Sequence, residues 1–239
     1  RLIGAVRGER QTLVIDRGEG STFAGFQAAF RLGMKHIATG TDHLLFLLSL
    51  LLPAPLIAVG GRWAQPRKLR DALATLARII TAFTIGHSCT LIIASLGNWH
   101  LPAAPVESMI ALSILVAAVH AMRPIFPGRE MWIAAGFGLI HGLAFATLVG
   151  DAGIGGAGKL LAILGFNLGI ETVQLAVAAV AMTPLMLMAP TPIYRFVRWT
   201  AAIFAAVAAI AWIVERIGFG PNIITRAVEL LARHALWVL

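Results

Sequence analysis

In the stretch KHIATGTDHLLFLLSLLL, residues 35–52, His36, Asp42 and His43 stand at the mouth of a long run of leucine and phenylalanine. Two imidazoles and a carboxylate in an apolar setting form a donor set for a divalent transition metal. They suit nickel, cobalt or zinc better than magnesium or calcium, which prefer all-oxygen shells. His36 and His43 are seven residues apart and share a helix face, yet on a straight helix they would stand ~10 Å apart along the axis, too far to chelate one ion. A break at Gly40, between Thr39 and Thr41, would let the chain fold back and place Asp42 and His43 in the first turn of the next helix. Two readings of Asp42 then stand side by side. It caps that helix or complements its dipole, or it joins the histidines in stripping water from an ion.

Three more ionisable residues lie where hydropathy should forbid them: His87 in FTIGHSCTL, His141 in FGLIHGLAF and Glu171 in GFNLGIETVQL. Counted at ~1.5 Å per residue, all three fall within about two turns of the middle of their apolar runs. For each histidine an interhelical hydrogen bond competes with a ligand role. A carboxylate at that depth needs a cation or a proton. Asn167, Glu171 and Gln174 recur at i, i+4 and i+7 and share a helix face, either as a polar packing seam or as a row lining a path. Gly138 and Gly142, and Gly165 and Gly169, have the small-xxx-small spacing that lets helix backbones approach closely. Ser88, beside His87, is a further path-lining candidate. His120 reads either as a satisfied interfacial residue or as an exit ligand. Cys89 reads as a small buried hydrophobe, Glu107 as a simple first-turn acid, and Phe46 as lipid or packing surface.

The elements that must position these groups are membrane helices. Of 239 residues, 59% are hydrophobic and only 13% charged, against about a quarter charged in a soluble domain. The expected fold is all-α, a polytopic bundle of six to seven transmembrane helices. Six apolar runs reach the ~20 residues that a crossing requires: one ending in 43–59, then 73–97, 106–122, 131–150, 159–188 and 197–217. Residues 22–39 carry Phe23, Phe26, Phe30, Met34 and Ile37 on one face, as an interfacial helix or a slanted seventh span. The bundle therefore covers 22–217. Residues 218–239 read as an outer interfacial amphipathic helix. Residues 1–21, which include the alternating RQTLVID, read as an extracytoplasmic tail or the remnant of a larger N-terminal region.

The net charge of +8 comes from scattered basic residues, a pattern of membrane orientation and not of nucleic-acid binding. Loops 60–72, 123–130 and 189–198 carry the arginines, and the alternate loops are nearly bare, so the basic loops are expected in the cytoplasm and the N-terminus outside. The Arg–Lys cluster at 62–70 also suits contact with lipid phosphate. The single cysteine permits no disulfide within the chain. No P-loop pattern occurs, so transport would draw on a gradient or on downhill flow.

With these motifs in view, the chain resembles the HupE/UreJ family of bacterial membrane proteins. The family pattern His-Pro-x-x-Gly-x-Asp-His is matched by His36, Gly40, Asp42 and His43, with Ile37 in place of the proline. FTIGHSCTL, FGLIHGLAFA and FNLGIETVQL look like its later motifs in order, over roughly 22–217, and the Ile37 departure looks like its second branch. The resemblance implies a secondary nickel or cobalt permease of the bacterial inner membrane, with His36, Asp42, His43, His87, His141 and Glu171 as metal residues and Asn167 and Gln174 next. Its partners would be the transported ion and the lipid bilayer. Two rivals use the same residues: an intramembrane zinc-dependent hydrolase with Glu171 as general base, and a haem carrier with histidine pairs.

Overall fold

The computed structural model describes residues 22–97, 99, 101–150, 156–220 and 222–235. The expected tail 1–21, with its RQTLVID stretch, lies outside the described residues. Helix α1 (Thr22–Thr39) stops at Gly40, where φ −81° and ψ 100° are extended, and α2 (Thr41–Leu51) starts at once beyond it. The break read from the sequence is therefore present. A Cβ at position 40 would lie 2.8 Å from the His36 carbonyl oxygen, so glycine is what lets the two helices meet this tightly.

The helix expected to continue to Val59 ends eight residues earlier. Pro53 and Pro55 lack the N–H groups that would extend it, and the chain turns into an antiparallel hairpin, β1 (Leu56–Val59) with β2 (Arg62–Pro66). Of the expected loop 60–72, residues 62–66 are thus strand and 69–72 already belong to the next helix. Trp63 Nε1 anchors the hairpin by donating to the His120 carbonyl at 2.8 Å.

The remaining helices follow the expected runs closely: α3 (Leu69–Leu96), α4 (Ala103–Met122), α5 (Glu130–Gly150), α6 (Gly156–Met188) and α7 (Pro192–Val214). A short π turn (Glu215–Phe219) and α8 (Ile223–Ala235) complete the chain. Pro192 opens α7, where its missing N–H costs nothing. Four helices among the described residues are long and apolar enough to cross a membrane: 69–94, 103–122, 158–188 and 192–219. The expected count of six to seven is not reached by that criterion. Apart from the hairpin, every regular element among the described residues is a helix, and the fold class is all-α.

Two tight helix pairs set the geometry. A Cβ on Gly138 of α5 would stand 2.0 Å from the Phe83 carbonyl oxygen of α3, and one on Gly142 would stand 2.5 Å from that of His87. Contacts thus advance together along both helices, so α3 and α5 run parallel. The same relation joins α1 and α6: Gly165 meets Phe26 and Gly169 meets Phe30, at 2.6 and 2.1 Å. Gly169 touches Phe30 and Met34 on α1 just as Gly138 touches Phe83 and His87 on α3. The two pairs face each other in opposite directions, because Thr81 of α3 meets Glu171 of α6 while His87 meets Asn167.

Helix α2 packs into the middle. Phe46 is 1% exposed and lies against Phe83, Phe137 and His141, so it is core and not lipid surface. At one end of the bundle Tyr194 donates its hydroxyl to the Leu52 carbonyl at 2.7 Å. Helix α8 docks through buried Val228, and Asn222 caps it by accepting from the Thr225 N–H at 2.9 Å. Trp132, Val180, Leu187 and Phe196 are among the large apolar side chains on the outer surface, as expected of a bundle that faces hydrocarbon.

Candidate functional site

Because α1 ends and α2 begins at Gly40, His36 and His43 are brought ring to ring, with centroids 4.6 Å apart. His43 then meets His141 of α5 with centroids at 5.3 Å. His87 of α3 joins through two shared phenylalanines. Phe83 packs on both His87 and His141, at 6.2 and 5.1 Å, and Phe166 packs on both His87 and His36, at 6.3 and 5.5 Å. Four histidines from α1, α2, α3 and α5 thus occupy one neighbourhood, where the two parallel pairs meet.

The hydrogen bonds fix which nitrogen of three of these rings carries its proton. Asp42 Oδ1 lies 3.0 Å from His43 Nδ1 and, as a carboxylate, accepts from it. Asn167 Nδ2 donates to the Ile163 carbonyl, which turns Oδ1 toward His87 Nδ1 at 2.9 Å as an acceptor. Ser113 donates its proton to the Ile110 carbonyl, so its oxygen accepts from His141 Nε2 at 2.9 Å. The opposite nitrogens, His43 Nε2, His87 Nε2 and His141 Nδ1, are buried and have no hydrogen-bond partner among the described residues. Each therefore presents a lone pair in a dry setting. A ligating histidine is typically held in this way by a partner on its far nitrogen.

Asp42 has a role that neither sequence reading named. It orients His43 from behind, and it also lines a cleft of about 300 Å³ with Glu107 and Arg216. Glu107 is more than a first-turn acid, since Arg216 Nε donates to its carboxylate at 2.7 Å. Ser113 is a residue the sequence did not single out. A lone serine in an apolar run carries no signal until its helix neighbour is known.

Other candidates fall elsewhere. Glu171 accepts from Thr81 Oγ1 at 2.5 Å, one turn along α6 from Asn167. Gln174 is buried and its Oε1 is unpartnered. Ser88 bonds back to the Thr84 carbonyl of its own helix. His120 stacks on Phe126 at 3.8 Å, accepts the Ile125 N–H at Nδ1 and lies 3.7 Å from Glu130, so it locks the turn after α4. Cys89, expected to be buried, is exposed, because it sits on the opposite side of α3 from His87. Among the described residues no three His, Cys, Asp or Glu side chains stand close enough together to hold a metal ion in this conformation.

Fold and surface define a helical membrane protein whose interior gathers histidines. A family model described as HupE / UreJ protein matches residues 9–216, and the chain belongs to that family. No curated protein and no solved structure matches it.

Proposed function

We propose that the protein is a secondary permease for a divalent transition metal, nickel or cobalt, in the bacterial inner membrane. The observation that carries this reading is the set of three buried imidazoles, on α2, α3 and α5, each tethered at one nitrogen and bare at the other. Borderline divalent ions favour neutral imidazole ligands. Membership of the HupE/UreJ family supports the same cargo.

Asp42 borders a cleft and His43 lies directly behind it, so the ion enters there, loses part of its water and meets His43 and His36. His141 and His87 receive it next. Glu171 and Gln174 line the onward path along α6. The ion is the substrate, and a carrier must release it, so ligation by successive pairs suits the task better than one closed cage. The oppositely directed α1–α6 and α3–α5 pairs support this further. Carriers often place their site between two repeats inverted across the membrane and rock one against the other.

Six crossings follow: α1 with α2 as one broken span, and α3, α4, α5, α6 and α7. The arginines at 62, 123, 195 and 198 gather at one end, which this reading places in the cytoplasm. The N-terminus and α8 then lie outside, with α8 in the interface.

Uptake of radioactive nickel into cells, or into vesicles containing the purified protein, tests this. His43→Ala is expected to abolish uptake while the protein still inserts. Normal uptake by a well-inserted variant refutes the role of His43. Stoichiometric zinc that survives purification would instead favour the hydrolase.

A further inference from the structure

A second site lies at the opposite end of the bundle from the Asp42 cleft. The β1–β2 hairpin, the end of α4 and the start of α7 enclose a cleft of about 690 Å³. Arg62, Arg123, Arg195 and Arg198 line it, with Trp63 and Trp199 at its walls. None of these four arginines has a carboxylate within ion-pair distance among the described residues.

Arg198 is the informative member. It is 4% exposed, which is rare for an arginine without an acidic partner. One of its terminal nitrogens donates to the Ala121 and Met122 carbonyls at the end of α4. Those bonds fix the guanidinium in place, yet its Nε is buried and unpartnered. The N-terminus of α7 points at the same cleft. Thr191 caps that helix without a side-chain bond and Pro192 has no N–H to offer, so it is the positive dipole end of α7 that adds to the field. Four positive charges, one of them buried and fixed, together with a helix N-terminus, give this cleft a field that favours an anion between them.

We infer that this cleft binds a phosphate group, and that in the membrane the phosphate is the headgroup of an anionic lipid. Planar guanidinium forks match phosphate oxygens in pairs. Tryptophans on a cleft rim suit the headgroup level of a bilayer, and basic pockets between membrane helices are a known form of headgroup site. The sequence offered the 62–70 cluster as a lipid-phosphate contact and showed Arg123, Arg195 and Arg198 only as charges of other loops. The fold unites three loops around one buried guanidinium. The bound lipid would tie the hairpin, α4 and α7 together at the end where the ion leaves.

The test uses the full chain in mild detergent, with phosphatidylglycerol, phosphatidylcholine or inorganic phosphate added. Native mass spectrometry and thermal unfolding provide the readouts. Phosphatidylglycerol at 100-fold over its Kd is expected to raise Tm by roughly 5–10 °C and to remain bound in the spectra. The combined variant Arg62→Gln, Arg123→Gln, Arg195→Gln leaves the structural Arg198 in place and should lose both effects. A shift given by inorganic phosphate and lost in the same variant, with none from the lipid, would keep the phosphate site and assign it to a soluble phosphate. An equal shift from phosphatidylcholine, or a phosphatidylglycerol shift that survives the variant, would overturn the inference.

Discussion

Replacing Gly138 by alanine adds one methyl group at the closest point between α3 and α5. That carbon would lie 2.0 Å from the Phe83 carbonyl oxygen and 3.0 Å from the His87 nitrogen. Both of those atoms are backbone, so neither can swing aside, and the helices must part by roughly 1.5 Å to reach ordinary contact. Overpacking of this kind costs about 1–3 kcal/mol, or roughly 2–12 °C in Tm for a chain of this size. The larger effect falls on function. His87 is on one helix and His141 on the other, and metal ligands tolerate only ~0.2 Å. Gly136, two residues away, supplies the control, since a Cβ there meets nothing within 4 Å. Gly136→Ala should hold or slightly raise stability, because alanine favours helix by up to ~1 kcal/mol. The assay is thermal unfolding of both variants in one detergent, paired with nickel uptake in cells. If Gly138→Ala unfolds at the same temperature as Gly136→Ala and transports normally, the tight seam does not position the histidines and the reasoning fails.

Other outcomes follow from the same geometry. Asp42→Ala frees the His43 ring from its carboxylate tether and should weaken metal affinity 10–100-fold, by about the effect of losing such a partner elsewhere, read as a raised half-saturation for uptake. Ser113→Ala leaves His141 Nε2–H buried without an acceptor, so Tm should fall by the equivalent of about 1–3 kcal/mol and uptake should fall with it. Cys89→Ser, on an exposed position, should change neither stability nor uptake by a measurable amount. Glu107→Gln breaks a half-exposed ion pair with Arg216 and should shift stability by less than ~1 kcal/mol.

Much of this arrangement was legible in the chain, for physical reasons. Gly40 between two threonines marked the break because no side chain fits there. Counting along apolar runs put His87 and His141 at one depth because the helices are nearly as long as the runs. The glycine pairs announced close seams but not their partners, since spacing on one helix says nothing about which helix faces it. The overrun of the first span past Leu51 came from reading LIAV as apolar helix. Its flanking prolines and the Gly60–Gly61 turn made it a strand. Cys89 was misplaced because burial depends on which face of α3 meets α5. Asp42 and Asn167 were recognised as donors, while their task of holding a histidine tautomer depends on angles that only the packed helices define. Ser113 had no signal of its own, and the four-arginine cleft drew its members from loops far apart in sequence.

Transport by this route requires that the bare imidazole nitrogens take a transition metal. X-ray absorption at the nickel edge, measured on the nickel-loaded protein, tests it most directly. At least two nitrogen scatterers at ~2.0–2.1 Å with the outer-shell pattern of imidazole are expected, reduced in His43→Ala and in His141→Ala. A spectrum with only oxygen neighbours, unchanged by either substitution, would contradict it.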